Sequence, residues 1–205
     1  MGQFFQINCD NPQSRLVNQA VAIVRGGGVM IYPTDSGYAF GCCLGNKAAL
    51  DKIRRIKKMD AKQNFTLLCR DLSELSLYAK VDNTAYRLLK TYTPGAYTFI
   101  LPATHEVPRR LQHPKRKTIG LRVPNNAISQ ALLDALGEPL MTTSLPPLND
   151  ELMMDPEDIR DRYGKLVDLI IDGGFCGSEA TSIIDLTDGL PQIVRRGAGD
   201  VSDFE

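Results

Sequence analysis

Three stretches place hydroxyl side chains where apolar runs end: Thr34-Asp35-Ser36, Thr142-Thr143-Ser144 and Thr181-Ser182. Lys57, Arg122 and Arg195 fall at or beside the ends of other periodic runs. Hydroxyls and backbone N–H groups suit the oxygens of phosphates and carboxylates, and Lys and Arg neutralise their charge. Together these residues describe an anion site assembled from several strand ends. Arg122 weighs most, because an interior strand position holds an arginine only opposite an anionic partner. No G-x-x-x-x-G-K-[ST] and no G-x-G-x-x-G follows a strand, so a nucleotide site here has another architecture.

Positioning such groups needs a sheet. Val29 to Tyr32 is a continuous apolar run, as in an interior strand covered on both faces, and Pro33 is expected to end it and turn the chain out of the sheet. Phe65–Cys69, Tyr97–Leu101, Thr118–Val123, Pro139–Thr143 and Val167–Ile171 read as further strands, with Ser182–Leu186 and Gln192–Arg195 as a closing hairpin across Asp188-Gly189. Between them lie helical patterns. Asn11-Pro12 is expected to start one that Gly26 stops, Asn46 caps one reaching about Met59, and Asp71 and Asp82 cap two more. Asn125 or Asn126 opens one that Gly137 ends, and Asp155-Pro156 opens the last. The expected class is α/β, a twisted mixed parallel and antiparallel sheet with flanking helices, in one domain over residues 1–205.

Composition narrows the functional classes. Twenty-four basic residues balance twenty-four acidic ones, so net charge announces no nucleic-acid partner and local clusters must decide. Arg54, Arg55, Lys57 and Lys58 form one cluster on the second helix, and Arg109, Arg110, Lys115, Arg116 and Lys117 form another. Five cysteines without C-x-x-C, and two histidines without H-E-x-x-H, fit inert thiols in a reducing compartment rather than a metal centre. No run reaches the roughly 18 residues of a membrane span and no signal segment follows Met1, so a cytoplasmic protein without membrane contact is expected.

The stretches YPTDSGYAFGC, TPGAYTFIL, GLRVP, TTS, TSIIDL and IVRRGAG occur in the order found in the YrdC/YciO family, which includes the threonylcarbamoyl-AMP synthases. The resemblance runs from about Asn11 to Asp200 and is strongest to the YciO branch. It implies a sheet with a concave, basic face. It also implies condensation of L-threonine, bicarbonate and ATP with Mg2+ into threonylcarbamoyl-AMP and pyrophosphate, for tRNA modification. Carried over, Thr34, Tyr38 and Thr142 would bind substrate, and Lys57, Arg122 and Ser144 would serve catalysis. Lys57, Thr181, Ser182 and Arg195 would hold the nucleotide.

Two positions depart from the family pattern. Its synthases carry K-x-R after the second helix, where this chain reads Lys57-Lys58-Met59, and S-x-N, where it reads Ser144-Leu145-Pro146. A thioether and a proline replace a guanidinium and an amide. Each lost donor to a transition-state phosphate costs about 3 kcal/mol. Two readings follow: a relative of the synthases that binds nucleotide and double-stranded RNA or tRNA with reduced synthase activity, or a non-catalytic double-stranded RNA-binding protein, the RNA in either case meeting Arg54, Arg55, Lys58, Arg109, Arg110, Lys115, Arg116 and Lys117.

Overall fold

A computed structural model describes residues 2–59, 64–148 and 151–205. Ten strands form one sheet: β1 (Gln3–Gln6), β2 (Met30–Thr34), β3 (Gly37–Cys43), β4 (Thr66–Leu68), β5 (Tyr97–Pro102), β6 (Thr118–Arg122), β7 (Leu140–Ser144), β8 (Leu169–Asp172), β9 (Ser182–Asp185) and β10 (Gln192–Arg195). Their spatial order is β1-β8-β2-β3-β7-β4-β6-β5-β9-β10. Pairs β1–β8, β8–β2, β4–β6 and β5–β9 are parallel and the other five are antiparallel. Among the described residues there are six α-helices: α1 (Ser14–Arg25), α2 (Lys47–Lys57), α3 (Leu72–Tyr78), α4 (Asn83–Tyr92), α5 (Ala127–Leu136) and α6 (Pro156–Tyr163).

Strand alternation sorts the core into two layers. Met30, Tyr32, Leu68, Leu140, Leu169 and Ile171 face α1 and α5, whose Val17, Val21, Ile128 and Leu132 complete the smaller core. Their chain neighbours Ile31, Leu67, Met141 and Ile170 face α2, α3, α4 and α6 in the larger one. The sheet thus has one face fully covered and one face covered only where α1 and α5 lie. The uncovered part matters below.

Helix boundaries follow local chemistry. Asn46, Asp71, Asp82 and Asn126 each accept a backbone N–H three residues on, satisfying donors that the first turn leaves free. Helix α1 begins later than expected, after Gln13 and without a side-chain cap. Asn11 does not cap it, because Asn8 turns the chain there by accepting the N–H groups of Asp10 and Asn11.

Pro33 does not end the strand. It lies inside β2 opposite Tyr38, and the chain folds straight back through Asp35-Ser36 into β3. The Tyr38 carbonyl accepts from Leu145 N–H on the other side, so Pro33 occupies a non-hydrogen-bonded position of the hairpin ladder and withholds no bond from it. Its outward carbonyl is met by the Ser129 hydroxyl at 2.7 Å. Beyond the turn, the glycine-rich run Gly37–Cys43 is a central strand, buried throughout. Strand β1 was not foreseen from the sequence.

The Tyr32 ring lies across Gly41, where an added Cβ would stand 2.7 Å from a ring carbon. That close approach lets the Tyr32 hydroxyl donate to Thr142 Oγ1 at 2.8 Å. Gly41→Ala is expected to displace the ring and lower the unfolding free energy by about 1–3 kcal/mol, the usual penalty for overpacking. Urea denaturation checks this, and an unchanged midpoint would mean the ring is not held there.

Candidate functional site

The uncovered part of the sheet is a cleft of ≈ 200 Å³. Its floor is one side of six strands. Gly41, Thr142, Thr66 and Gly120 lie in one transverse row of the register, so they share that face. Ala39 and Ser144 pair in a neighbouring row. Thr98 pairs Ile183, and the same alternation puts Thr181 and Arg122 on this side. Every one of these except the two glycines is among the lining residues. Thr66 and Thr98 were missed from the sequence. Their signal was a lone threonine within FTLLC and YTFIL, at alternate positions to the core residues.

Arg195 reaches the cleft through a β-bulge. In β10, Ile193 pairs Ile184, but Arg195 pairs Ile183, with a register shift between them. An unbroken ladder would put Val194 opposite Ile183 and turn Arg195 to the far face. The extra residue re-aims the arginine. Its Nε donates to the Thr181 carbonyl at 2.9 Å and its Nη2 to Thr181 Oγ1 at 3.0 Å, and Thr181 Oγ1 is 2.9 Å from Thr98 Oγ1.

Arg122 pairs with Asp35 in the β2–β3 turn. The anionic partner required by its burial is therefore supplied internally. Asp35 Oδ2 also accepts Asn125 N–H at 3.0 Å. Arg122 Nε is buried with no hydrogen-bond partner among the described residues. Lys57, the last residue of α2, does not line the cleft itself. It stands behind Thr143, to whose Oγ1 its Nζ donates at 2.6 Å. Burial, and then the Arg195 charge, lower its pKa to about 8. Arg195 is shifted down in turn by burial and by Arg122. Arg195 thus acts on Lys57 and is acted on by Arg122, and among the described residues no carboxylate lines the cleft.

The remaining expected residues divide by what their hydroxyls already do. Thr34 Oγ1 donates to the Gly37 carbonyl at 2.6 Å and accepts Ser36 N–H at 3.1 Å, locking the turn. Thr142 accepts from Tyr32 and donates to the Phe40 carbonyl at 3.0 Å. Both line the cleft, but only as acceptors. Tyr38 directs its hydroxyl to the Gly174 carbonyl at 2.7 Å, pinning the chain after β8. Ser182 does not line the cleft: it faces the opposite side from Thr181, donating to the Gly199 carbonyl and accepting Gly197 N–H at 3.0 Å. Ser144 is exposed at the rim.

The basic clusters do not stay free as groups. Arg116 binds Asp185, a buried carboxylate, at 2.8 Å and Thr187 at 2.7 Å. Arg110 donates to the Gly45 carbonyl at the N-terminal end of α2, whereas Arg54, Arg55 and Lys58 belong to its other end, about 15 Å away along the axis. Arg54 lies over the Phe65 ring, 5.7 Å from its centroid. Arg55, Lys58, Arg109, Lys115 and Lys117 are exposed.

A model of the Sua5/YciO/YrdC domain, described as telomere recombination, matches residues 22–197. The chain belongs to that family. YciO of Escherichia coli strain K12 is 60% identical over the full length of both chains. The crystal structure of E. coli YciO matches with a TM-score of 0.96, covering 100% of each chain. A threonylcarbamoyl-AMP synthase of Nitrosococcus oceani is 33% identical over 172 residues, 80% of this chain and 88% of that protein. The fold alone is shared with P. abyssi Sua5 complexed with L-threonine, at 22% identity and TM-score 0.89, over 98% of this chain and 59% of that one. Of the departures from the synthase pattern, Met59 packs against the larger core and Pro146 follows the last strand bond of β7. No helix among the described residues is long and apolar enough to cross a membrane.

Lys57 allows a test that needs no ligand. Its folded pKa of about 8 lies below the free value of 10.5, so the unfolded chain holds that proton more tightly. Between those limits its contribution to stability rises with pH. Relative to Lys57→Met, the parent is expected to gain unfolding free energy from pH 7 to pH 9.5 in urea titrations. A constant difference would return Lys57 to an ordinary solvated lysine.

Proposed function

We propose that the cleft binds a nucleotide polyphosphate beside a small amino-acid-type substrate, with ATP, L-threonine and bicarbonate the candidates. Threonylcarbamoyl-AMP synthesis would then be a reduced activity of this chain. The observation that carries this reading is the pair of arginines lining the cleft, Arg122 and Arg195, with Lys57 behind Thr143: Arg195 is disfavoured as a cation by Arg122 and itself disfavours the Lys57 charge, and an anion would relieve both. The orphaned Nε of Arg122 is a donor waiting for an acceptor. Cys176, beside the Thr34 backbone, is pushed up to about 12 by burial, so positioning and charge are favoured over a covalent thiol step.

Magnesium would arrive on the nucleotide. No group of three metal-ligating side chains occurs among the described residues, and Asp35 is committed to Arg122 and Asn125. The chain offers no cage for the ion, which suits a cation held chiefly by phosphate oxygens and water. The missing donors at Met59 and Pro146 support the reduced rate.

Titration calorimetry with Mg·ATP is expected to give saturable heat that Arg195→Ala diminishes. Labelled threonine and bicarbonate with ATP should yield threonylcarbamoyl-AMP at a low rate. Absence of heat, with and without threonine, would remove the nucleotide site.

Contact with structured RNA is a second reading. It is favoured by Arg55, Lys58, Arg109, Lys115 and Lys117, which are exposed and make no ion pair among the described residues. Affinity should fall steeply with salt, and Lys115→Ala with Lys117→Ala should flatten the log–log slope by about two units. Arg116 is unsuited to that test, because its removal also strands Asp185. A slope matching the parent's would return these residues to plain solvated surface.

A further inference from the structure

Asp35 takes no part in the anion chemistry by charge, since it opposes the cations around it. Its geometry assigns it another task. It projects from the two-residue turn joining β2 to β3, and both of its oxygens are engaged: one with Arg122 Nη2, the other with the N–H of Asn125 just ahead of α5. Thr34 Oγ1, at 3.5 Å from the same Nη2, flanks the pair. The turn is itself rigid, because Thr34 closes it onto Gly37 and Gly177 packs against the Asp35 carbonyl, where an added Cβ would come within 2.5 Å. Asp35 engages Nη2 alone, and Nε, which shares an edge of the guanidinium with Nη2, is the buried donor without a partner among the described residues.

Resting on the anion-binding reading above, we propose that Asp35 is a positioning residue: it holds Arg122 by Nη2 so that Nε is presented to an anionic oxygen of the bound ligand. A planar fork gives directed hydrogen bonds only when its plane is fixed. Side-chain freedom in an unclasped arginine would have to be lost on binding. Asp35 therefore strengthens anion binding although its own charge repels the anion.

The two effects have opposite signs, which makes the proposal testable. The experiment is calorimetric titration of the parent, Asp35→Asn and Asp35→Glu with Mg·ATP and, separately, with adenosine, which lacks the phosphates. Positioning predicts that Asp35→Asn weakens ATP by about tenfold, the equivalent of one directed charge-assisted bond, while adenosine changes little. A charge counterweight predicts tighter ATP binding on the same substitution. Asp35→Glu keeps the charge and moves the carboxylate by one methylene, so it carries the test should Asp35→Asn not fold; positioning predicts weaker ATP binding here too. Unchanged or tighter ATP binding in the folded variants overturns the proposal while leaving the nucleotide site intact. An equal loss for adenosine and ATP overturns it in favour of a structural role. A parent that binds no ATP overturns both this proposal and the reading on which it rests.

Discussion

Alternation along the strands is the constraint on which the molecule depends. Each strand that reaches the cleft must pack one set of side chains against α2, α3, α4 and α6 and offer the intervening set to an opening that α1 and α5 leave uncovered. Threonine meets both demands. Its branched Cβ suits a pleated strand and its hydroxyl suits a polar cavity, which accounts for Thr66, Thr98 and Thr142 on the floor. Gly41 and Gly120 keep the same row low enough for the Tyr32 ring and for the Thr66 and Thr98 side chains.

Charge around that floor is arranged against the stability of the empty protein. Lys57 and Arg195 are held where water is partly excluded, and each lies within the field of another cation. Among the described residues only Arg122 has an acidic partner at the site, and that pair is largely buried. Such an arrangement costs folding free energy, and the anion binding proposed above would offset it.

The end of α2 divides its residues between the cleft and the core. Lys57 turns toward Thr143, Lys58 takes the left-handed cap, and Met59 is drawn into the core. The Met59 side chain there serves packing. Pro146 likewise follows the last bond between β7 and the Tyr38 carbonyl and has no N–H of its own to extend the ladder. The fold of the family is retained.

By itself the sequence determined most strands and helices, most helix caps, the mixed sheet and the identity of most cleft hydroxyls, because these depend on short-range periodicity and capping chemistry; β1 and the central β3 were not legible in it. Asn46, Asp71 and Asp82 cap where their spacing says they should. Pro33 was misread, because whether a proline interrupts a strand depends on which side of the ladder its nitrogen faces. Ser182 and Arg195 show the same limit. Adjacent residues point to opposite faces, so Thr181 enters the cleft and Ser182 does not, and a bulge visible only in the pairing of β9 with β10 brings Arg195 round. Arg122 demanded an anion by its burial, but that Asp35, 87 residues earlier, supplies it was decided by the tertiary structure, since contacts between distant strands leave no periodic mark in the chain.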